Sequence, residues 1–146
     1  MNRRHFLTCT AGLLAAGPAF ANGSHTIQVS KTATCGCCAA WVDHIEAEGF
    51  RTAVEDVEQN ALWVLKDELG ITQELSGCHT ALVGGYFVEG HVPASDIQRL
   101  LADAPDARGL TVPGMPMGSP EMGAEGDFDV LLVLQDGSTQ VYSRHS

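Results

Sequence analysis

The chain has 146 residues, 45% of them hydrophobic, and a formal net charge of −10, which suits one domain with an ordinary apolar core and leaves no room for a second. An acidic surface repels phosphate backbones and anionic lipid, so no nucleic-acid or membrane-surface partner is expected, and cations are weakly favoured.

The first residues read as a targeting segment. Asn2-Arg3-Arg4-His5-Phe6-Leu7 is a charged start, 8–16 a short apolar run, and Ala19-Phe20-Ala21 a small-x-small cleavage site, the pattern of a signal peptide over residues 1–21. The paired arginines before Phe6-Leu7 suit a twin-arginine signal as well as an ordinary Sec signal. The apolar run is too short to span a bilayer, so no membrane attachment is expected after cleavage, and Cys9 leaves with the segment. Cleavage removes Arg3 and Arg4 and no acid, so residues 22–146, the expected single domain, carry −12. Export to the periplasm puts four remaining cysteines in an oxidising compartment, where two structural disulfides are the plain expectation.

Ile27 and Val29 alternate within 25–31 as in a strand. Cys38, Trp41, Val42 and Ile45 then recur at helical spacing until Gly49, which places the cysteines at a strand-to-helix turn. Residues 50–57 form a second strand, and Ala61, Leu62, Leu65 and Leu69 mark a second helix ending at Gly70. Ala81-Leu82-Val83, Gly84-Gly85 and Tyr86-Phe87-Val88 predict a hairpin. Ser95 and Gln98 suggest a capping box for a third helix with Ile97, Leu100, Leu101 and Ala104 inward. The order β-α-β-α-β-β-α is the plan of a thioredoxin-like α/β core, although other α/β sandwiches share it. Residues 105–127, rich in Gly and Pro and holding Met115, Met117 and Met122, read as a long irregular loop, which is uncommon without a function. A terminal hairpin follows, 128–134 and 139–143 about Asp136-Gly137. Trp41 and Trp63 are expected in the core, Asp43 and His44 in solvent.

Cys35-Gly36-Cys37-Cys38 is the sharpest signal. Three sulfurs in four residues cannot all pair locally without strain, and a helix N-terminus favours thiolate over thiol, improving both nucleophiles and soft-metal ligands. Gly36 is expected to let the backbone turn tightly between them. Cys35 and Cys38 also form the C-x-x-C of a thiol-disulfide oxidoreductase, but Cys37 would invite scrambling there and be useful to a metal. Soft thiolates select Cu(I), zinc or iron-sulfur clusters. Cys78-His79, just before the third strand, supplies a further sulfur and an imidazole. His79 is equally readable as a surface histidine, and Cys78 as a disulfide partner of Cys35 or Cys37. Met115, Met117 and Met122 offer thioethers suited to Cu(I), or merely fill gaps. His91 before Val92-Pro93 is an additional ligand or a structural turn residue.

Thr34-Cys35-Gly36-Cys37-Cys38 with Trp41, Cys78-His79-Thr80-Ala81, Gly85-Tyr86 with Glu89-Gly90-His91-Val92-Pro93-Ala94, and Val112-Pro113-Gly114-Met115-Pro116 with Gly118-Ser119-Pro120 together resemble the CopG-like periplasmic copper-resistance proteins, a family first defined as a domain of unknown function. The resemblance spans about residues 26–122. It implies a thioredoxin-like fold and a cysteine-bridged, multinuclear copper cluster on Cys35, Cys37, Cys38 and Cys78, with His79 beside it. It also implies a role in copper resistance, either interconverting Cu(I) and Cu(II) or handling copper during detoxification, with periplasmic copper-trafficking proteins as candidate partners. The family tends to continue Ser-Pro with Gly-Met, where this chain has Glu121-Met122. Zinc, held by four thiolates or by three and one imidazole, is the alternative metal, as in a structural zinc-binding module.

Overall fold

The computed structural model describes residues 25–123 and 125–146; the expected signal peptide lies outside them. Strand β1 (Thr26–Lys31) buries Ile27, Val29 and Lys31 on one face. Helix α1 (Gly36–Ala47) buries Cys38, Trp41, Val42 and Ile45, the stripe the spacing predicts, and the chain reverses at Gly49 with φ +92°. Strand β2 (Arg51–Asp56) runs parallel to β1 at the sheet edge, where Lys31 donates to Asp56 at 2.6 Å. Helix α2 (Gln59–Glu68) is followed by a short 3-10 turn at Gln73–Leu75. The hairpin β3 (Thr80–Val83) and β4 (Tyr86–Glu89) turns at Gly84 and Gly85, both at positive φ. Helix α3 (Ala94–Asp103), β5 (Ala107–Thr111), β6 (Phe128–Leu134) and β7 (Thr139–His145) complete the chain.

The strands form one mixed sheet in the order β2-β1-β3-β4-β5-β6-β7. Period-two alternation divides its side chains between two apolar layers. Ile27, Val29, Ala81, Val83, Val88, Val130 and Leu132 pack with Trp41, Ile45, Ile97 and Leu100 of α1 and α3. Phe87 and Val133 pack with Ile71, and Leu69, Leu75 and Leu82 lie against them. The fold is therefore mixed α/β, with α1 and α3 over one face and the α2 segment over the other.

Four expectations are corrected. Residues 105–127 are not wholly irregular, since β5 pairs parallel with β4 and antiparallel with β6. Gly109 hid it: a Cβ there would stand 2.1 Å from the Phe87 carbonyl oxygen, so close strand packing requires a residue that weakens a strand signal. The capping box does not form, because Pro93 is the N-cap of α3 and Ser95 lies inside the helix. Trp63 is 47% exposed rather than core, because α2 turns Leu62 and Lys66 inward instead. His44 is half-buried, and its Nε2 is buried without a hydrogen-bond partner.

Lys66 and Glu89 form an ion pair with 2% and 0% side-chain exposure. Glu89 Oε1 also accepts the Gly77 N–H at 2.8 Å, and Oε2 accepts the Thr80 hydroxyl at 2.6 Å. Removing one member strands a buried charge, which costs about 3–5 kcal/mol. Lys66→Met is thus expected to lower the free energy of unfolding by about that much in urea titrations. Adding Glu89→Leu should recover a substantial part of the loss; a single variant as stable as the parent would contradict this account.

Candidate metal centre

Cys35 is the N-cap of α1, with its N–H bonded to the Thr32 carbonyl at 3.2 Å and its own carbonyl accepting the Ala39 N–H at 3.3 Å. Cys37 and Cys38 fall in the first helical turn. Gly36 does not act as expected: its φ is not left-handed, and a Cβ there would meet nothing within 4 Å. The helix itself, not a glycine turn, gathers the sulfurs. Trp41, one turn on, fixes the helix against the rest of the site, donating from Nε1 to the Val92 carbonyl at 2.9 Å and packing its ring 4.3 Å from that of His79.

The second half of the site is the segment before β3. Gly77 and Gly90 let two backbones meet, since a Cβ on Gly77 would lie 2.5 Å from the Gly90 Cα. Gly90 has φ +71° and donates to the His79 carbonyl at 3.1 Å. That contact brings Cys78 to His91, with Cys78 Sγ 3.1 Å from His91 Nε2 and 3.4 Å from His79 Nδ1. The Gly114 N–H donates to Ser76 and the Thr111 hydroxyl to Leu75, tying the start of the methionine loop to the same segment.

The two halves converge. The sulfurs of Cys35, Cys37, Cys38 and Cys78 all lie within 4.8 Å of one another, and Cys78, His79 and His91 form a second group within the same limit. Cys35 and Cys38 are joined as a disulfide, while Cys37 and Cys78 are free thiols. Cys37 Sγ is 3.7 Å from Cys35 Sγ, 3.9 Å from Cys78 Sγ and 3.8 Å from Met115 Sδ. Met115 thus joins the site, though half-exposed. Met117 lies instead against Gly123 and Gly126, and Met122 is half-buried with its N–H on the Ser119 carbonyl.

Charge and burial prepare the donors. Burial, followed by the neighbouring Cys37, pushes the Cys78 thiol up to about 12, so a metal binding there must displace a proton. His79 is fully buried rather than on the surface. Desolvation first, then His91, Lys66 and Lys31, holds it well below the ordinary histidine value. His91 is also lowered, again chiefly by burial, with its Nδ1 bound to the Pro120 carbonyl at 2.6 Å. Both imidazoles are neutral at pH 7, the state in which a ring nitrogen can bind a metal. His91 with its second nitrogen fixed by a carbonyl is the usual arrangement of a ligating histidine. His79 Nε2 is buried with no partner, an unmet hydrogen-bonding capacity beside the sulfurs. Two thiols, a dithiol stored as a disulfide, two neutral imidazoles and a thioether form a donor set for a soft ion, not for a hard oxygen-seeking one.

Sequence reasoning did not single out Lys66 or Glu89, which hold the 77–80 segment in place. The available signal was a lysine four residues after Leu62 on the inward stripe of α2 and a glutamate in an otherwise apolar strand.

A family model described as "Protein of unknown function, DUF411" matches residues 75–122. Two solved structures of the copper resistance protein CopG are similar to the chain. Form 2 shows 37% identity over 85% of this chain and 100% of that one, with a TM-score of 0.77. Form 1 shows 36% identity over 82% and 96%, with a TM-score of 0.75. No curated protein matches.

Two outcomes are expected of the metal-free protein. Gly77→Ala should force Cys78 away from His91, lowering metal uptake with the far-UV spectrum retained; unchanged uptake would show that the close backbone approach is dispensable. For His79 and His91 the folded state resists a proton that the unfolded chain accepts near the ordinary value of 6.5. Stability is therefore complete above about pH 6.5 and falls as pH drops below it, by up to about 1.4 kcal/mol per pH unit for each group. Urea unfolding at pH 7 and pH 5 should show the decline, and His79→Gln should flatten it.

Proposed function

The chain belongs to the CopG-like DUF411 family, and from that premise we propose that it binds copper as Cu(I) in a thiolate-bridged cluster. Cys35, Cys37, Cys38 and Cys78 are its bridging sulfurs, supplied once the Cys35–Cys38 disulfide is reduced. His79, His91 and Met115 complete or cover the cluster. Copper is the cargo, and the role is copper handling in the periplasm after removal of residues 1–21, in exchange with copper-trafficking proteins there. Among the described residues no helix is long and apolar enough to cross a membrane. The strand order β2-β1-β3-β4, with β3 antiparallel to its neighbours, supports a thioredoxin-like assignment for the first half of the domain.

The observation that carries this reading is four sulfurs within 4.8 Å at a helix N-terminus, with a thioether 3.8 Å from one of them. Bridging thiolates let crowded sulfurs share several monovalent ions. Zinc would call for one closed tetrahedron of thiolates and imidazoles, and thioether sulfur suits Cu(I) better.

One observation favours a second reading. The Cys35–Cys38 disulfide is the form a thiol-disulfide oxidoreductase would take, with Cys35 partly exposed and Cys38 buried. Cys37 separates the two, because a C-x-x-C enzyme can dispense with it and a bridged cluster cannot. Elemental analysis of anaerobically purified, copper-loaded protein should show more than one copper per chain, and Cys37→Ser should lose most of it. Undiminished copper in that variant, together with disulfide-reductase activity abolished by Cys35→Ser, would replace the cluster with the oxidoreductase.

A further inference from the structure

Away from the sulfurs, one cleft gathers nitrogen and oxygen donors that the proposed function does not use. It holds about 450 Å³, and His44, Pro93, Pro120, Glu125, Phe128 and His145 are among its lining residues. Three separate stretches of chain meet there: the second half of α1, the loop after Pro120 and the end of β7. Gly118 and Gly126 draw the loop tight around it, since neither has room for a Cβ against the facing backbone. The Nε2 of His44 is buried without a hydrogen-bond partner. His145 is held in a fixed orientation, its ring stacked on Phe128 with centroids 4.9 Å apart and planes 11° from parallel. Its Nε2 meets Asp96 Oδ2 at 2.7 Å and Ser143 Oγ at 3.1 Å, and Asp96 has only 6% side-chain exposure. In the neutral ring the Nε2 proton faces that carboxylate, and Nδ1 carries the lone pair. A carboxylate on the other ring nitrogen is the usual support of a ligating histidine.

We propose that this cleft is a second metal site, separate from the sulfur centre, which takes Cu(II) on His44 Nε2, His145 Nδ1 and the exposed Glu125 carboxylate. Asp96 is its positioning residue. Imidazole and carboxylate donors suit divalent ions of intermediate softness, and among the first-row metals such a site holds Cu(II) most tightly, whereas thiolate and thioether select Cu(I). The acidic chain draws cations toward it. Pro120 lines the cleft while its carbonyl holds His91 Nδ1 at 2.6 Å, so the two centres share a wall and differ in the ion they prefer. The assignment goes beyond the copper cluster and does not depend on it.

A Cys37→Ser/Cys78→Ser variant that keeps the Cys35–Cys38 disulfide leaves no thiol at the sulfur centre to capture or reduce the probe. Titrated with copper(II) chloride, it should bind one equivalent whose paramagnetic resonance spectrum shows coupling to nitrogen. On that background His44→Gln, His145→Gln and Asp96→Asn should each weaken binding by at least about 10-fold, and His79→Gln should leave it unchanged. Glu125 is exposed, so Glu125→Gln tests the site even where a histidine variant does not fold: it should weaken binding and alter the spectrum. Undiminished affinity in the His44 and His145 variants, an unaltered spectrum in Glu125→Gln, or binding lost with His79→Gln instead would each overturn the proposal. None of these results bears on Cu(I) uptake by the wild-type sulfurs, which fails or succeeds separately.

Discussion

The buried ion pair between Lys66 and Glu89 is the constraint on which the centre depends. Two charges with 2% and 0% exposure carry a large desolvation penalty, and such a pair persists only where further hydrogen bonds meet its remaining capacity. Here they do. Glu89 accepts from Lys66, the Gly77 N–H and the Thr80 hydroxyl, while Lys66 also donates to Thr80 at 3.1 Å and to the Gly77 carbonyl at 3.3 Å. Helix α2, the segment before β3 and the end of β4 are thereby pinned at one point. Cys78 follows Gly77 directly, so its sulfur is placed by a network containing no metal ligand.

From that anchor the histidines acquire their state. His79 lies between Trp41 on one side and His91 on the other, with ring centroids 4.3 and 5.6 Å away. Lys66 adds its positive charge to the burial that keeps His79 neutral. The cation that holds the loop thus also keeps an adjacent imidazole unprotonated. Glu89 acts on the other side of the same balance, since its charge is among the influences that raise the Cys78 thiol. The same surroundings thus keep the proton on the Cys78 sulfur and off the His79 ring.

Much of this was legible in the sequence, for physical reasons that can be located. The α1 stripe was readable because helix burial repeats at fixed spacing, and the β3–β4 hairpin because paired glycines sit at its turn. Strand β5 was not, since its Gly109 answers to Phe87 across the sheet and nothing local betrays that neighbour. The cysteines and His79 and His91 stood out by type, but their convergence depends on Gly77 meeting Gly90, a contact no local window contains. The Gly-to-Glu departure at 121 has a structural meaning visible only in the backbone. Glu121 has φ +66°, a conformation that costs an L-residue about 1–2 kcal/mol and a glycine almost nothing, so the family's usual residue is the unstrained one.

Loop length explains why redox chemistry on Cys35 and Cys38 can be separated from folding. In the chain-entropy account a disulfide stabilises by the loop it closes. The Cys35–Cys38 bond closes a separation of 3 residues, worth about 1.6 kcal/mol on that scaling. A bond between Cys37 and Cys78 would close 41, worth about 4 kcal/mol. Making and breaking the long-range bond would swing stability by a large part of what a domain of this size possesses. Making and breaking the local one changes it by less than half as much, because the loop it closes in the unfolded chain is short. The bonded pair is the one whose bond matters least to the fold, and the pair that spans the fold is the one left as thiols.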